Sequence, residues 1–515
     1  MTRIFIILIS FGFLPRAEAQ QKESSTRPNI IYILADDLGY GDVSAYNKDS
    51  KIPTPNIDRL ATRGTKFTNA HSASAVCTPS RYSILTGNYP WRSSLKKGVL
   101  WSYDWPLIKK DQLTIGQFLK NNGYSTALIG KWHLGWNWPI KKGEYIDTTQ
   151  LSPIDEASTL ERERKIDFTK PLQGGPLSCG FEYQFGVDIP SLPPFCFIEN
   201  GKIIGDELTT QKPNHIVGAQ GVMQREWTSE KMLPTIIDKA DAYIKYQAAE
   251  NSNKPFFLFL SLSAPHVPIS PNLAYQGKSN AGDYGDFVIE MDDYIGRLMN
   301  TLDNLNITQN TLIIFTSDNG AAMQAGDFTT RGLEASTYGS LYKLYNHNSS
   351  GDWKGIKGNS WEGGHRVPYI ASWPSVIPAG KTNINKISLT DLFATCAGIL
   401  DISLPDSVAV DSYNMFDAYR GKNPRKSIRN EILYSSANGC ISIHKGKWKY
   451  IDCNDAGGGL KNQYIKNDYV YETAGQLYDM EKDERETTNL FNDYPIIVKQ
   501  LKHLVEEYKI RGQRK

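Results

Sequence analysis

The sequence predicts an α/β fold: a large, mostly parallel sheet sandwiched by helices, followed by a smaller antiparallel α+β subdomain. Three observations support this. Short apolar runs alternate with segments of helical spacing through most of the chain, as in folds with a largely parallel sheet. Several of those runs end in residues suited to binding charge. The texture then changes after about residue 421 to closely spaced strand-like runs.

The clearest strands are expected at 29–34, 124–129, 256–262, 312–316 and 367–372, and helical spacing marks 113–121, 233–249 and 287–305. Beyond residue 421, strand-like runs cover 431–435, 441–451 and 476–480, and a helix is expected over about 496–510. The expected organisation is a signal segment over 1–19, a catalytic domain over 26–420 and a C-terminal subdomain over 421–515. There is no internal repeat and no low-complexity tract.

With 515 residues, 40% hydrophobic and 22% charged, the composition is that of a soluble globular enzyme with a sizeable core. A formal net charge of +2 argues against binding nucleic acid through a broad cationic surface. At the amino terminus, Arg3 precedes an apolar run over 4–14 and the small-residue pattern Ala17-Glu18-Ala19. That is the pattern of a cleaved secretory signal, shorter than the roughly 20 apolar residues a spanning helix needs. The expectation is therefore an exported protein, periplasmic or secreted, with no membrane attachment after cleavage. Export permits disulfides, but Cys77, Cys179, Cys196, Cys396, Cys440 and Cys453 are too few for a disulfide scaffold. Cys179/Cys196 and Cys440/Cys453 are near enough in sequence to bridge, and Cys396, in the helix-like run 390–400, is expected to be a buried free thiol. Sequons at Asn306 and Asn348 would matter only in a eukaryotic host.

The strand ends carry the chemistry. The first run leads into Asp36-Asp37, the second into Lys131 and His133, the third into His266 and the fourth into Asp318-Asn319. Open parallel sheets place ligands at the carboxyl ends of their strands, so these residues should share one rim. Asp36, Asp37, Asp318 and Asn319 offer only oxygen donors, which suit calcium or magnesium rather than zinc. Crowded carboxylates repel one another, and a divalent ion between them is the simplest relief.

Cys77-Thr78-Pro79-Ser80-Arg81 reads as a loop turning into a short helix that ends near Gly87. With average residue usage, Cys-x-Pro-x-Arg arises by accident in a chain of this size on the order of once in a hundred. This pentapeptide with Leu85-Thr86-Gly87 resembles the signature of formylglycine-dependent sulfatases, in the alkaline phosphatase superfamily. Further blocks resemble the same family: Asp36-Asp37-Leu38-Gly39, Gly130-Lys131-Trp132-His133-Leu134-Gly135, Ala264-Pro265-His266 and Ser317-Asp318-Asn319-Gly320. Lys357 ahead of Glu362-Gly363-Gly364, with Arg366 and Pro368, matches another block, and Leu477-Tyr478-Asp479 and Thr488-Asn489-Leu490 resemble the family's C-terminal subdomain. One departure is Asn88, where the family often has arginine.

The resemblance implies a sulfatase whose Cys77 is oxidised to formylglycine (3-oxoalanine) by a dedicated maturase and seated against one calcium ion. Asp36, Asp37, Cys77, Asp318 and Asn319 would be the ligands. A hydrated aldehyde has two hydroxyls on one carbon, one to attack sulfur and one to expel sulfate later. Arg81 and Lys131 are placed by resemblance to hold the anion. His266 is the candidate general acid at the bridging oxygen, Lys357 the group binding a sulfate oxygen, and His133 the candidate base.

Two rival readings are a phosphatase or phosphodiesterase of the same superfamily, and a glycan-binding protein whose cysteine is never converted. The first usually presents Ser or Thr with two zinc ions, and the second needs no such set of charged residues. The substrate implied is a sulfated carbohydrate attacked from its end, with galactose or N-acetylgalactosamine sulfate the closest in look. Segments 136–227 and 321–353 fall between motifs and are expected to shape the outer pocket. Trp136, Trp138 and His365, just after matched residues, are candidate sugar contacts.

Overall fold

A computed structural model describes residues 27–149, 151, 155–205, 207–211, 220–321, 340–422, 428–458 and 470–511. The expected signal segment and most of 321–353 lie outside the described residues. Among those described, no helix is long and apolar enough to cross a membrane.

A ten-stranded sheet organises the chain. Its strands run in the order Lys381–Asn383, Thr65–Phe67, Tyr369–Ser372, Thr311–Ser317, Asn29–Asp36, Phe256–Pro265, Ser125–Lys131, Tyr183–Val187, Ile198–Glu199 and Lys202–Ile203. The five adjacent strands from Thr311–Ser317 to Tyr183–Val187 are mutually parallel. Pairing with Tyr369–Ser372 and Ile198–Glu199 on either side is antiparallel. This is the mixed but mainly parallel class the alternating sequence pattern predicts.

The central strand explains why the apolar runs are continuous rather than alternating. All of Asn29–Asp36 beyond its first residue is buried, because helices cover both faces of the sheet. Ile30, Tyr32 and Leu34 point into a core shared with helices Cys77–Thr86, Ile115–Asn121 and Leu392–Ile399. Ile31, Ile33 and Ala35 point into the opposite core, shared with Pro55–Arg63, Met232–Glu250 and Gly282–Asn304. The two-residue period of the strand thus divides one run of sequence between two cores.

The small sheet has four antiparallel strands where the sequence showed three runs: Glu431–Ser435, Ile441–Lys445, Trp448–Ile451 and Gln476–Asp479. The run 441–451 is a hairpin, not one strand, because Gly446 turns the chain at φ 58°. Helix Pro495–Ile510 packs Val498, Leu501 and Val505 against Leu433, Ile443 and Leu477 of this sheet. Cys440 and Cys453 are disulfide-bonded, whereas Cys179 and Cys196 are separate buried thiols, as is Cys396.

His444, buried in the small sheet, gives a pH prediction. Burial, reinforced by Lys386, pushes its imidazole down to about 3 from an ordinary 6.5. A histidine that takes up protons more readily unfolded than folded stabilises the fold above about pH 6.5, and that stability is lost as pH falls toward 3. Thermal melts should therefore show Tm falling from pH 6.5 to 4, with a shallower slope in His444→Gln. An unchanged slope would remove His444 from the account.

Candidate active site at the carboxyl edge of the sheet

Four strand ends converge as the sequence predicted. Asp36 closes the strand Asn29–Asp36, and Asp37 follows in the left-handed region at φ 68°. Asp318 and Asn319 follow the neighbouring strand Thr311–Ser317. Asp318 is tied back by its N–H to Ala35 C=O at 3.1 Å, and Asp37 N–H donates to Asp318 Oδ1 at 3.2 Å. Leu38 N–H donates to Ser317 Oγ at 2.9 Å. Carboxylate oxygens of Asp36, Asp37 and Asp318 lie within 4.8 Å of one another, and all three side chains are buried.

Cys77 opens the helix Cys77–Thr86, all ten residues of which are buried. Pro79 is tolerated in the first turn, where its missing N–H has no helical partner to lose. Two of the buried hydroxyls bond within the helix, Ser83 to Pro79 C=O at 3.0 Å and Thr86 to Tyr82 C=O at 2.8 Å. Gly87 ends the helix in the left-handed conformation, at φ 66°. The thiol of Cys77 lies within 4.8 Å of ligand atoms of Asp36 and His266.

Cations from three places in the chain meet the carboxylates. Arg81, one turn along the helix from Cys77, donates from Nε and Nη2 to Asp318 Oδ2 at 3.0 and 2.8 Å, and its Nη2 lies 3.3 Å from Asp36 Oδ1. Its Nη1 donates to Ser261 Oγ at 2.5 Å, a partner that no sequence motif indicated. Lys131 Nζ reaches both oxygens of Asp36, at 2.7 and 3.0 Å. Lys357 Nζ is 2.6 Å from Asp37 Oδ1. The close approach of strands here depends on Gly130, at φ 116°, where a Cβ would stand 1.7 Å from Ser261 C=O.

The two histidines are held in defined tautomers. His266 donates from Nδ1 to Val267 C=O at 2.6 Å, leaving Nε2 3.6 Å from Asp37 Oδ2. His133, in the left-handed region at φ 55°, donates from Nε2 to Leu100 C=O at 2.9 Å, and its buried Nδ1 has no partner among the described residues. Burial keeps both neutral: His266 is lowered to about 4 against the pull of Asp36 and Asp37, and His133 falls well below its ordinary value, with Lys131 adding to the effect.

The fit of this rim to a cation can be tested on its own atoms. Arg81, Lys131 and Lys357 already match the charge of Asp36, Asp37 and Asp318, so carboxylate repulsion alone does not demand a metal, contrary to the argument from sequence. Two features still point to missing positive charge. Asn319 Oδ1 is buried without a partner among the described residues, although its Nδ2 donates to Asp37 Oδ1 at 2.8 Å. Asp318 is raised by burial to about 6 despite Arg81, whereas Lys131, with Arg81 behind it, overcomes burial and holds Asp36 far below the carboxylate range. An all-oxygen set with one orphaned amide oxygen fits a hard divalent ion.

The candidate sugar contacts are corrected by the structure. Trp136 and Trp138 are 1% and 2% exposed, within the core on one face of the sheet. Trp136 packs on Trp132 and Gly175, and Trp138 on Tyr103 and Phe168. Their indoles close the layer beneath the 133–138 turn, so they have no face for a sugar ring. His365 is 0% exposed and stacks on Tyr434 at 3.5 Å between ring centroids.

A family model described as Sulfatase matches residues 28–402. An N-acetylgalactosamine-6-O-sulfatase of Bacteroides thetaiotaomicron is 32% identical, over 98% of each chain. Human steryl-sulfatase is also 32% identical, over 84% of this chain and 75% of that protein. A solved structure from work on glycosaminoglycan metabolism by Bacteroides thetaiotaomicron superposes with a TM-score of 0.79 at 32% identity, covering 94% of this chain and 100% of that one.

Proposed function

The chain belongs to the sulfatase family, a hydrolase of sulfate esters, and from that premise we propose that it removes sulfate from sugars of a glycan. In this reading position 77 is converted to formylglycine by a maturase, and Asp36, Asp37, Asp318 and Asn319 hold one calcium ion beside it. Attack from a chain end on galactose or N-acetylgalactosamine sulfate is the substrate reading, supported by the relative named for N-acetylgalactosamine-6-sulfate chemistry. The pattern over residues 1–19 is read as an export signal, placing the enzyme in the periplasm or outside the cell.

The observation that carries the reading is Cys77 itself. It is buried at the start of a buried helix, beside Asp36 and His266 and near three cations. Burial raises its thiol pKa even though Lys131 and Lys357 pull the other way. A protonated thiol is a poor nucleophile, so the site gains little from cysteine as such. A hydrated formylglycine at this position supplies paired hydroxyls, and calcium supplies charge that favours the ionised form of one of them.

The chain's own groups divide the remaining work. Lys357 is kept protonated because Asp37, foremost among its neighbours, outweighs the effect of burial, and it binds a sulfate oxygen. Arg81 and Lys131 fix the carboxylates and add positive charge where anionic oxygens gather. His266 Nε2 delivers a proton to the bridging oxygen, and an arriving sulfate monoanion favours the imidazolium it needs. His133 has only its Nδ1 lone pair to offer and accepts a proton there during sulfate release.

Peptide mass spectrometry across residue 77 should show the aldehyde in active protein. A panel of monosaccharides differing only in sulfate position should then yield one preferred substrate. Full activity from protein whose residue 77 is an unmodified thiol would overturn the reading.

A further inference from the structure

The small C-terminal sheet is joined to the active site along two lines. In the first, strand Glu431–Ser435 continues against residues 73–75, just ahead of Cys77: Ala75 N–H donates to Ser435 C=O at 2.8 Å and Ser435 N–H to Ala73 C=O at 3.0 Å. In the second, the loop that carries Lys357 is bonded to the same subdomain. Ala437 N–H donates to Gly358 C=O at 3.0 Å, Ser360 N–H to Ala456 C=O at 2.8 Å and Trp361 Nε1 to Gln476 Oε1 at 2.9 Å. The two lines meet where Gly358 N–H donates to Ala75 C=O at 2.7 Å.

Behind this loop lies a buried cation. Lys449 Nζ is 3.0 Å from Glu362 Oε1 and 2.6 Å from Glu486 Oε1, and all three side chains are 0% exposed. Glu486 Oε2 accepts the Glu362 N–H at 2.8 Å. Lys449 Nζ is also 3.2 Å from His365 Nε2, while His365 Nδ1 and His71 Nδ1 are 3.0 Å apart and His71 Nε2 is 2.7 Å from Asn69 Oδ1. One assignment satisfies this chain. Asn69 Oδ1 can only accept, so His71 carries its proton on Nε2, His365 donates from Nδ1, and His365 Nε2 accepts from the ammonium. Both histidines are then neutral, and the Lys449 charge is directed at the two glutamates.

We propose that Lys449 is a positioning residue for sulfate binding: through Glu362 and Glu486 it clasps the subdomain to the 357–362 loop and sets where Lys357 stands. The inference rests on Lys357 as the sulfate-binding group. Lys449→Met alone would leave two buried carboxylates without their cation, so the test uses Lys449→Met combined with Glu486→Gln, which leaves Glu362 its 2.7 Å pair with Arg366.

The full-length enzyme, converted at position 77, is assayed for KM, kcat, inhibition by inorganic sulfate, and Tm. The double variant should show KM and the sulfate inhibition constant raised about tenfold at temperatures where it is fully folded. Leu302→Ala, a buried change on the Gly282–Asn304 helix, should lower Tm without moving either constant. Unchanged constants in the folded double variant would overturn the clasp. Should that variant not fold, Trp361→Phe, which removes the bond to Gln476, should shift both constants the same way by about threefold, and no shift overturns the proposal equally. Lys357→Ala separates the two ideas. If it leaves sulfate inhibition unaltered, the role given to Lys357 fails and the clasp with it. If it weakens inhibition while the double variant does not, the clasp alone fails.

Discussion

Replacing Cys77 by alanine is expected to lower kcat on any sulfate ester by on the order of 10⁴-fold or more, with the fold intact. The side chain stands at the first helical position, where an alanine methyl fits the same space and has good helix propensity. The carboxylates and cations around it are fixed to one another, not to the thiol: Arg81 to Asp318, Lys131 to Asp36, and Lys357 to Asp37. Inorganic sulfate should therefore still bind to Cys77→Ala, which can be measured by calorimetry. Cys77→Ser sharpens the test. A serine hydroxyl could attack sulfur, but its carbon bears no second oxygen whose electrons could expel sulfate, so the reaction would stop after one event. Steady turnover by Cys77→Ser at the wild-type rate would refute the need for paired hydroxyls.

What could be read from the sequence follows from where the physics is local. Each expected central strand coincides with an observed one to within three residues at either end, because burial on both faces demands an unbroken apolar run. The rim was legible for a related reason: a run of apolar residues ending in Asp36-Asp37 or Asp318-Asn319 announces both a strand end and a polar cluster. The two tryptophans misled because Trp136 and Trp138 sit in sequence beside a site residue, His133, while the turn between sends their side chains into the core. Lys449 and Glu486 were not legible at all. A lysine in a strand and a glutamate in a loop are ordinary surface residues by composition, and only the packing of the small sheet onto the 357–362 loop buries them. Ser261 as the partner of Arg81 was hidden too, being one of two serines within an otherwise apolar strand.

Removal of calcium should be nearly as damaging as loss of Cys77, with rates falling on the order of 10³-fold after exhaustive chelation and returning with added calcium. The expectation comes from charge counting at the rim. Three carboxylates and three cations balance before substrate arrives; a sulfate monoanion then leaves the site one negative charge in excess, inside a buried space where that excess is costly. A divalent ion reverses the sign, and Asn319 Oδ1 is a neutral donor at the rim without a partner among the described residues. Zinc should restore little, since the four side chains assigned to the ion, Asp36, Asp37, Asp318 and Asn319, offer only oxygen. Binding must also be visible without catalysis. A ligand present at about 100 times its dissociation constant stabilises the folded state by about 2.7 kcal/mol, so calcium should raise Tm by a few degrees in Cys77→Ala as well as in wild type. Asn319→Ala should lose most of that rise; its calcium-free Tm also falls, because Nδ2 no longer donates to Asp37 Oδ1 and Gly320 C=O, so the measure is the calcium-dependent difference within each protein. Protein shown by elemental analysis to be metal-free, yet unchanged in Tm and in rate, would remove the ion from the site.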